Sequence, residues 1–189
     1  MADQASLPVL NHDLADDEVA WMEAVYADFA AARAQHANPK EALRAVLGRE
    51  KHRLPSPMDL TGPGPWRGGR NRHGRGVAAV FLPRVELHRH SASRTDQFAM
   101  YVVGEAEAFS LDASGNPVLT PVTGGAHFHN SPDAPHAFVP KTGQDVPDDW
   151  EIAFIAITPR NLQEDTQAVP AAVKATYERA VGRPAPVWG

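Results

Sequence analysis

From residue 77 to residue 158 the chain breaks into short, β-rich segments, and no other feature constrains its fold as much. "VAAVFLPRVELHRH", "QFAMYVVGEAEAFSLD", "PVLTPVTGGAHFHN", "HAFVP" and "EIAFIAIT" are separated by turn signals such as "ASGN" and "TGQDVPDD". Branched and aromatic side chains suit a pleated, half-buried surface, while clusters of Gly, Asn, Asp and Pro reverse the chain. Short strands at such spacing predict an antiparallel barrel or sandwich. At 189 residues, 43% hydrophobic and 22% charged, the chain can build one such domain with helical additions.

The flanks supply those additions. Val19, Met22, Val25, Tyr26 and Phe29 recur at helical spacing and predict a helix from about Asp16 to Gln35. "ANPKEALRAVLG" then carries its own punctuation, with Asn38 as cap, Pro39 in the first turn and Gly48 past the end. Leu43, Val46 and Leu47 would face inward. Residues 53–76 lack periodicity and are rich in Pro, Gly and Arg, so they read as a connecting loop. A last helix is expected from Val169 to Val181. The expected organisation is therefore a helical extension over 1–52 packed on the β domain, a connection over 53–76, a barrel over 77–160, and a C-terminal helix and tail over 161–189.

Charge and composition exclude several function classes. A net charge of −5 argues against general nucleic-acid binding, and no apolar run reaches the length of a membrane span. The acidic start "MADQASLPVLNHDLADDE" lacks an apolar signal core, which gives a cytoplasmic expectation. With no cysteine in the chain, thiolate ligands and thiol nucleophiles are excluded. Four arginines in "WRGGRNRHGRG", residues 67, 70, 72 and 75, read as a solvated loop or as a lid that draws in an anion.

Histidine carries the candidate chemistry. Alternation along a strand puts Arg84, Glu86, His88 and His90 on one face, with the two imidazoles about 7 Å apart along it. Such a pair suits Zn, Fe, Ni or Cu, yet by itself it is weak evidence, and a polar strand face is the plainer reading. Counting by two from Gln97 brings Tyr101 to the same face as Gln97, where its hydroxyl is a candidate proton donor or base; packing is the competing role. Glu86 can orient a histidine through its second nitrogen, or pair with Arg84 or Arg89. Phe138 shares the face of His136 and is expected to form an apolar wall. His127 and His129 form a second His-x-His, expected to stand behind the ligands or at the surface, with a place on the pocket wall for one of them as the alternative.

Two motifs taken together resemble the cupin superfamily. The first is His88, His90, Gln97 and Gly104, with six residues separating the last two; the second runs from Gly125 to His136 in "GAHFHNSPDAPH". The chain departs from the family pattern in three ways: six residues separate His90 from Gln97, a glutamine stands where the family has glutamate, and Ser131 and Asp133 replace a proline and a glycine. The resemblance implies a mainly β fold, a small double-stranded β-helix or jelly-roll barrel, around one divalent ion. His88, His90 and His136 would be its ligands, and Gln97 a fourth ligand or a neighbour. Three-histidine cupins of this sort resemble iron dioxygenases, so Fe(II) is preferred, with Zn, Ni or Mn open. The substrate would be a small carbonyl-bearing or thiol compound, anionic in its bound form, chelated to the ion. A weaker similarity to dimethylsulfoniopropionate lyase-type cupins, which use a tyrosine base, gives a lyase alternative. A non-catalytic sensor is a third reading. A homodimer is an open expectation, because exposed strand edges need cover.

Overall fold

The computed structural model describes residues 14–83, 87–90, 95–146, 148–158 and 166–185. Two helices open the chain, α1 (Asp16–Ala32) and α2 (Pro39–Leu47), followed by a single 3-10 turn at Glu50–His52. Ten strands follow: β1 (Trp66–Arg70), β2 (Gly76–Leu82), β3 (Arg89–His90), β4 (Thr95–Val103), β5 (Ala106–Leu111), β6 (Pro117–Val122), β7 (His127–Asn130), β8 (Ala137–Pro140), β9 (Glu151–Thr158) and β10 (Thr166–Gln167). Helix α3 (Ala171–Val181) ends the order.

Local chemistry explains the helices. Asp16, Asp17 and Glu18 sit in the first turn of α1, where negative charge meets the positive end of the helix dipole. The Glu18 carboxylate also accepts from the Ala15 backbone N–H at 2.8 Å. In α2, Asn38 Oδ1 accepts from Lys40 N at 2.9 Å and Pro39 occupies the first turn, as the sequence predicts. Met22, Val25 and Phe29 of α1 and Leu43, Val46 and Leu47 of α2 are buried. Burial of one such side chain contributes about 1.5–3 kcal/mol, which explains why short helices hold here.

The strands form a five-stranded antiparallel sheet, order β1-β2-β9-β4-β7, and a three-stranded one, order β6-β5-β8; β3 pairs separately with β10. Central β9 reads "EIAFIAIT" and is covered on both faces. Ala153, Ile155 and Ile157 join the core shared with α1 and α2, whereas Ile152, Phe154 and Ala156 join the core between the sheets with Ala106, Val122 and Phe138. On the far side, Phe109, Ala137 and Val139 pack with Tyr177 and Val181 of α3. The layers are helix pair, five-stranded sheet, three-stranded sheet and helix. The barrel expectation is corrected in one respect: among the described residues no pairing joins the two sheets, so they pack face to face without closing.

Two further expectations change. Residues 66–70, within the stretch read as a loop, form β1, which pairs antiparallel with β2 through an irregular register between Trp66 and Gly69. A Cβ on Gly69 would come within 2.7 Å of Met58 and 2.9 Å of Leu54, so glycine content here reflects close packing as well as turns. Two of the hairpin arginines, Arg72 and Arg75, engage the start of α1. Arg72 Nε lies 2.6 Å and His73 Nε2 3.1 Å from Asp17, and Arg75 lies 3.5 Å from Glu18, so the hairpin is fastened to the start of α1. No helix among the described residues is long and apolar enough to cross a membrane.

Candidate metal centre

Backbone pairing brings the two distant histidine stretches together. His88 N donates to His136 O at 3.2 Å and His136 N donates to His88 O at 2.9 Å. One residue pair further on, His90 is held against Thr166 in the short β3–β10 ladder. Ring centroids lie 4.4 Å apart for His88 and His136, 4.9 Å for His88 and His90, and 5.1 Å for His90 and His136. Each ring offers a nitrogen, and the three nitrogens lie within 4.8 Å of one another. All three residues are buried, His90 completely.

The turn before His136 sets the chemistry of its ring. His136 Nδ1 lies 2.9 Å from Ala134 O. A carbonyl only accepts, so Nδ1 carries the proton and Nε2 keeps its lone pair. That Nε2 is buried with no hydrogen-bond partner among the described residues. Burial, then the neighbouring His88, hold the His136 ring well below its ordinary pKa, while the Ala134 carbonyl opposes them. A neutral imidazole with a buried lone pair is what metal ligation requires. The three histidines therefore fit a divalent ion, and an all-imidazole set leaves its identity open among Fe, Zn, Ni and Mn.

The turn before His136 accommodates Asp133 at a position that favours glycine. Asp133 adopts φ 60°, a left-handed conformation that glycine takes freely and Asp tolerates better than most residues. Its N–H donates to His90 O at 2.7 Å, and its carboxylate lies 3.1 Å from Arg89, so Asp133 ties the turn to β3. Gly125, the other motif glycine, has φ 88°, and a Cβ there would meet the Tyr26 ring at 3.0 Å.

Gln97 and Phe138 face the imidazole side. His136 and Phe138 are two residues apart on extended chain and share a face. The Phe138 ring meets Phe128 at 5.1 Å and Phe154 at 5.6 Å between the sheets. Gln97, 1% exposed, pairs across the ladder with Phe128 and with Ala156, so its side chain enters the same intersheet layer. Its Oε1 accepts from Asn130 Nδ2 at 3.1 Å.

Tyr101, His127 and His129 do not face that layer. In β4 the register to β9 shifts between Ala99 and Tyr101, where Met100 is the extra residue of a bulge. Parity reverses there, and Tyr101 joins the core under α1, its ring stacked 5.8 Å from Phe29. Its hydroxyl donates to Glu151 Oε1 at 2.5 Å. Burial, reinforced by Glu151, holds the phenol above its ordinary pKa, opposite to what a base needs. Tyr101→Phe should therefore cost about 1.5–3 kcal/mol of stability, the range for a hydrogen bond to a charged group, and leave bound metal unchanged. Urea unfolding beside elemental analysis checks both. His129 pairs with Asp96 across the ladder and His127 with Phe98, which puts both histidines on the helix side. His127 Nε2 and His129 Nδ1 lie 3.1 and 3.0 Å from Asp96 Oδ1. Glu86, expected behind the ligands, lies outside the described residues. Asp96, Asn130 and the Ala134 carbonyl went unassigned from sequence; only Asp96 left a signal, a carboxylate inside an otherwise apolar strand.

No protein-family model matches the chain, and no curated protein matches it. Solved structures similar to it include an uncharacterised conserved protein with a double-stranded β-helix domain from Klebsiella pneumoniae, at 13% identity and TM-score 0.36, covering 53% of this chain and 78% of that one. An oxalate decarboxylase variant from B. subtilis is similar at 16% identity and TM-score 0.39, over 59% of this chain and 30% of its own. Fe(II) HppE is similar at 18% identity and TM-score 0.35, over 49% of this chain and 47% of its own. These likenesses are distant, so the weight rests on the chain's own geometry. The β region consists of two antiparallel sheets packed face to face, with three buried imidazoles drawn from two distant stretches of chain.

Proposed function

We propose that the protein is a metal-dependent enzyme of the cupin type, an Fe(II) dioxygenase that oxidises or cleaves a small carbonyl-bearing or thiol compound chelated at the three histidines. One observation carries this reading: three buried imidazole nitrogens converge, with no carboxylate in the cluster among the described residues. Fe(II) held there would supply a Lewis acid and an electron donor to dioxygen.

The chain's own residues divide the remaining work. His88, His90 and His136 are neutral ligands, so a bound ion keeps its full charge and favours an anionic, chelating substrate. The Ala134 carbonyl fixes the tautomer and aim of His136. Phe138, with Phe128 and Phe154, walls the adjoining layer with apolar surface and keeps water from it. The lyase reading loses its base, because the Tyr101 hydroxyl is turned to Glu151 on the other face of β4.

Elemental analysis of freshly purified protein, followed by oxygen-electrode measurements with diketone and phenacyl compounds, tests the proposal. Iron near one equivalent per chain and substrate-dependent oxygen uptake are expected. Stoichiometric zinc with no uptake on any of these compounds would refute a dioxygenase. Tight ligand binding with no product would favour a sensor.

A further inference from the structure

His136 owes its aim to the Ala134 carbonyl, and His90 has a counterpart from the far end of the chain. Thr166, 76 residues later in sequence, brings its Oγ1 to 3.5 Å from His90 Nδ1. Strand pairing explains the meeting. Thr166 and His90 are direct partners in the antiparallel β3–β10 ladder, and side chains so paired leave the same face with Cβ atoms about 4.5–5.5 Å apart. The ladder is only two residue pairs long, so other groups hold it in place. Arg89 donates Nη1 to Asp133 Oδ1 at 3.1 Å and Nη2 to Gln167 Oε1 at 3.3 Å, which ties the turn before His136 and β10 to one guanidinium. Beyond β10, Val169, Tyr177 and Val181 pack in one cluster with Phe109 and Val139 and anchor the segment from its other end.

We infer, on the reading that the three histidines hold a divalent ion, that Thr166 is the positioning residue of His90: its hydroxyl accepts from Nδ1–H and so commits Nε2 to the ion. A neutral imidazole that ligates through one nitrogen carries its hydrogen on the other, and a buried N–H needs an acceptor. His90 is 0% exposed, so bulk water does not supply one. The Thr166 oxygen does. A ring without this contact can turn about its Cβ–Cγ bond, which changes the edge it shows to the other two imidazoles. At 3.5 Å the contact is long for a hydrogen bond, so its main contribution is aim rather than energy. The segment beyond β9 thereby belongs to the metal centre, although it carries none of the three ligands.

The test loads the full chain with Co(II) and compares two variants of opposite character. Thr166→Val keeps the branched shape that suits a strand and removes the hydroxyl; Thr166→Ser keeps the hydroxyl and gives up the branch. Positioning through the oxygen predicts that Thr166→Val lowers Co(II) affinity about tenfold, the lower end of the range for losing an outer-shell partner, while Thr166→Ser stays near wild type. A role in ladder packing alone predicts the reverse order, with Thr166→Ser the weaker binder, and that order would overturn the inference. The proton spectrum of the Co(II)-loaded protein in water gives a second readout. The exchangeable ring N–H signal of His90, shifted by the paramagnetic ion, should move in Thr166→Val and keep its place in Thr166→Ser. An unmoved signal in Thr166→Val, or wild-type Co(II) affinity there, would remove Thr166 from the centre and leave the three-histidine reading standing. If the wild-type protein itself takes up no Co(II), that reading fails first and the role of Thr166 falls with it.

Discussion

Replacing His136 with alanine is expected to remove most of the bound divalent ion, with metal affinity falling about 100-fold or more. Loss of an outer-shell partner alone costs about 10–100-fold, and here a ligand itself is removed. The other two histidines cannot compensate, because His136 is the one ring that the second stretch contributes to the cluster. Two imidazoles leave a more open and more weakly held ion. The fold should survive the change. His136 makes its backbone bonds to His88 through N and O, which alanine retains, and the adjoining Ala137 and Phe138 keep their own cores. His73→Ala is the matched control: its ring is exposed and engages Asp17 at the start of α1, so metal content should not change. Competition titration with Co(II), read beside circular dichroism, separates loss of the ion from loss of the fold. Full metal occupancy in a folded His136→Ala protein would end the three-histidine assignment.

The centre was legible in the sequence to the extent that it depends on spacing. His88, His90 and His136 stand at intervals that place them in successive strands and turns, and the structure brings the three rings together. Helix α2 was legible for a similar reason, since Asn38, Pro39 and Gly48 act within one or two residues of their own positions. Faces set by register were not legible. One inserted residue, Met100, reverses parity in β4 and takes Tyr101 from the intersheet layer to the helix side. The face of His127 and His129 was not legible either, because it depends on which β4 residue each opposes, and a register placing them against Gln97 rather than Asp96 would have reversed it. Strand β1 was hidden by composition: "WRGGR" has two glycines and two arginines, and only pairing with β2 makes it a strand. The open arrangement of the two sheets is likewise a property of long-range pairing, which no local pattern carries.

Asp96→Ala is expected to be the most destabilising single change on the helix side of the sheet, at about 3–5 kcal/mol, the range for breaking a buried ion pair. Asp96 is 1% exposed, and its Oδ1 accepts from both His127 Nε2 and His129 Nδ1. An ionised carboxylate only accepts, so each ring must donate, and removing it leaves two ring N–H groups facing a cavity. These bonds matter more than their number suggests, because β7 has four residues and lies at the edge of the sheet. On the helix side it is held by this cluster, and on the other side by Asn130 on Gln97. Burial pushes the Asp96 carboxyl up, but the hydrogen bonds from His127 and His129 outweigh it and leave the group below the ordinary 3.8. A depressed folded value means the unfolded chain binds the proton more readily, so the carboxylate stabilises the fold above about pH 4. That contribution is lost as the pH falls through the lower folded value. Urea midpoints for wild type and for Asp96→Asn should therefore differ at pH 7 and converge below pH 4, the amide keeping the shape while removing the charge. Because Asp96 and Gln97 point to opposite faces of β4, Asp96→Asn should retain its metal. A stability difference that grows on acidification would show that the carboxylate is not what holds β7.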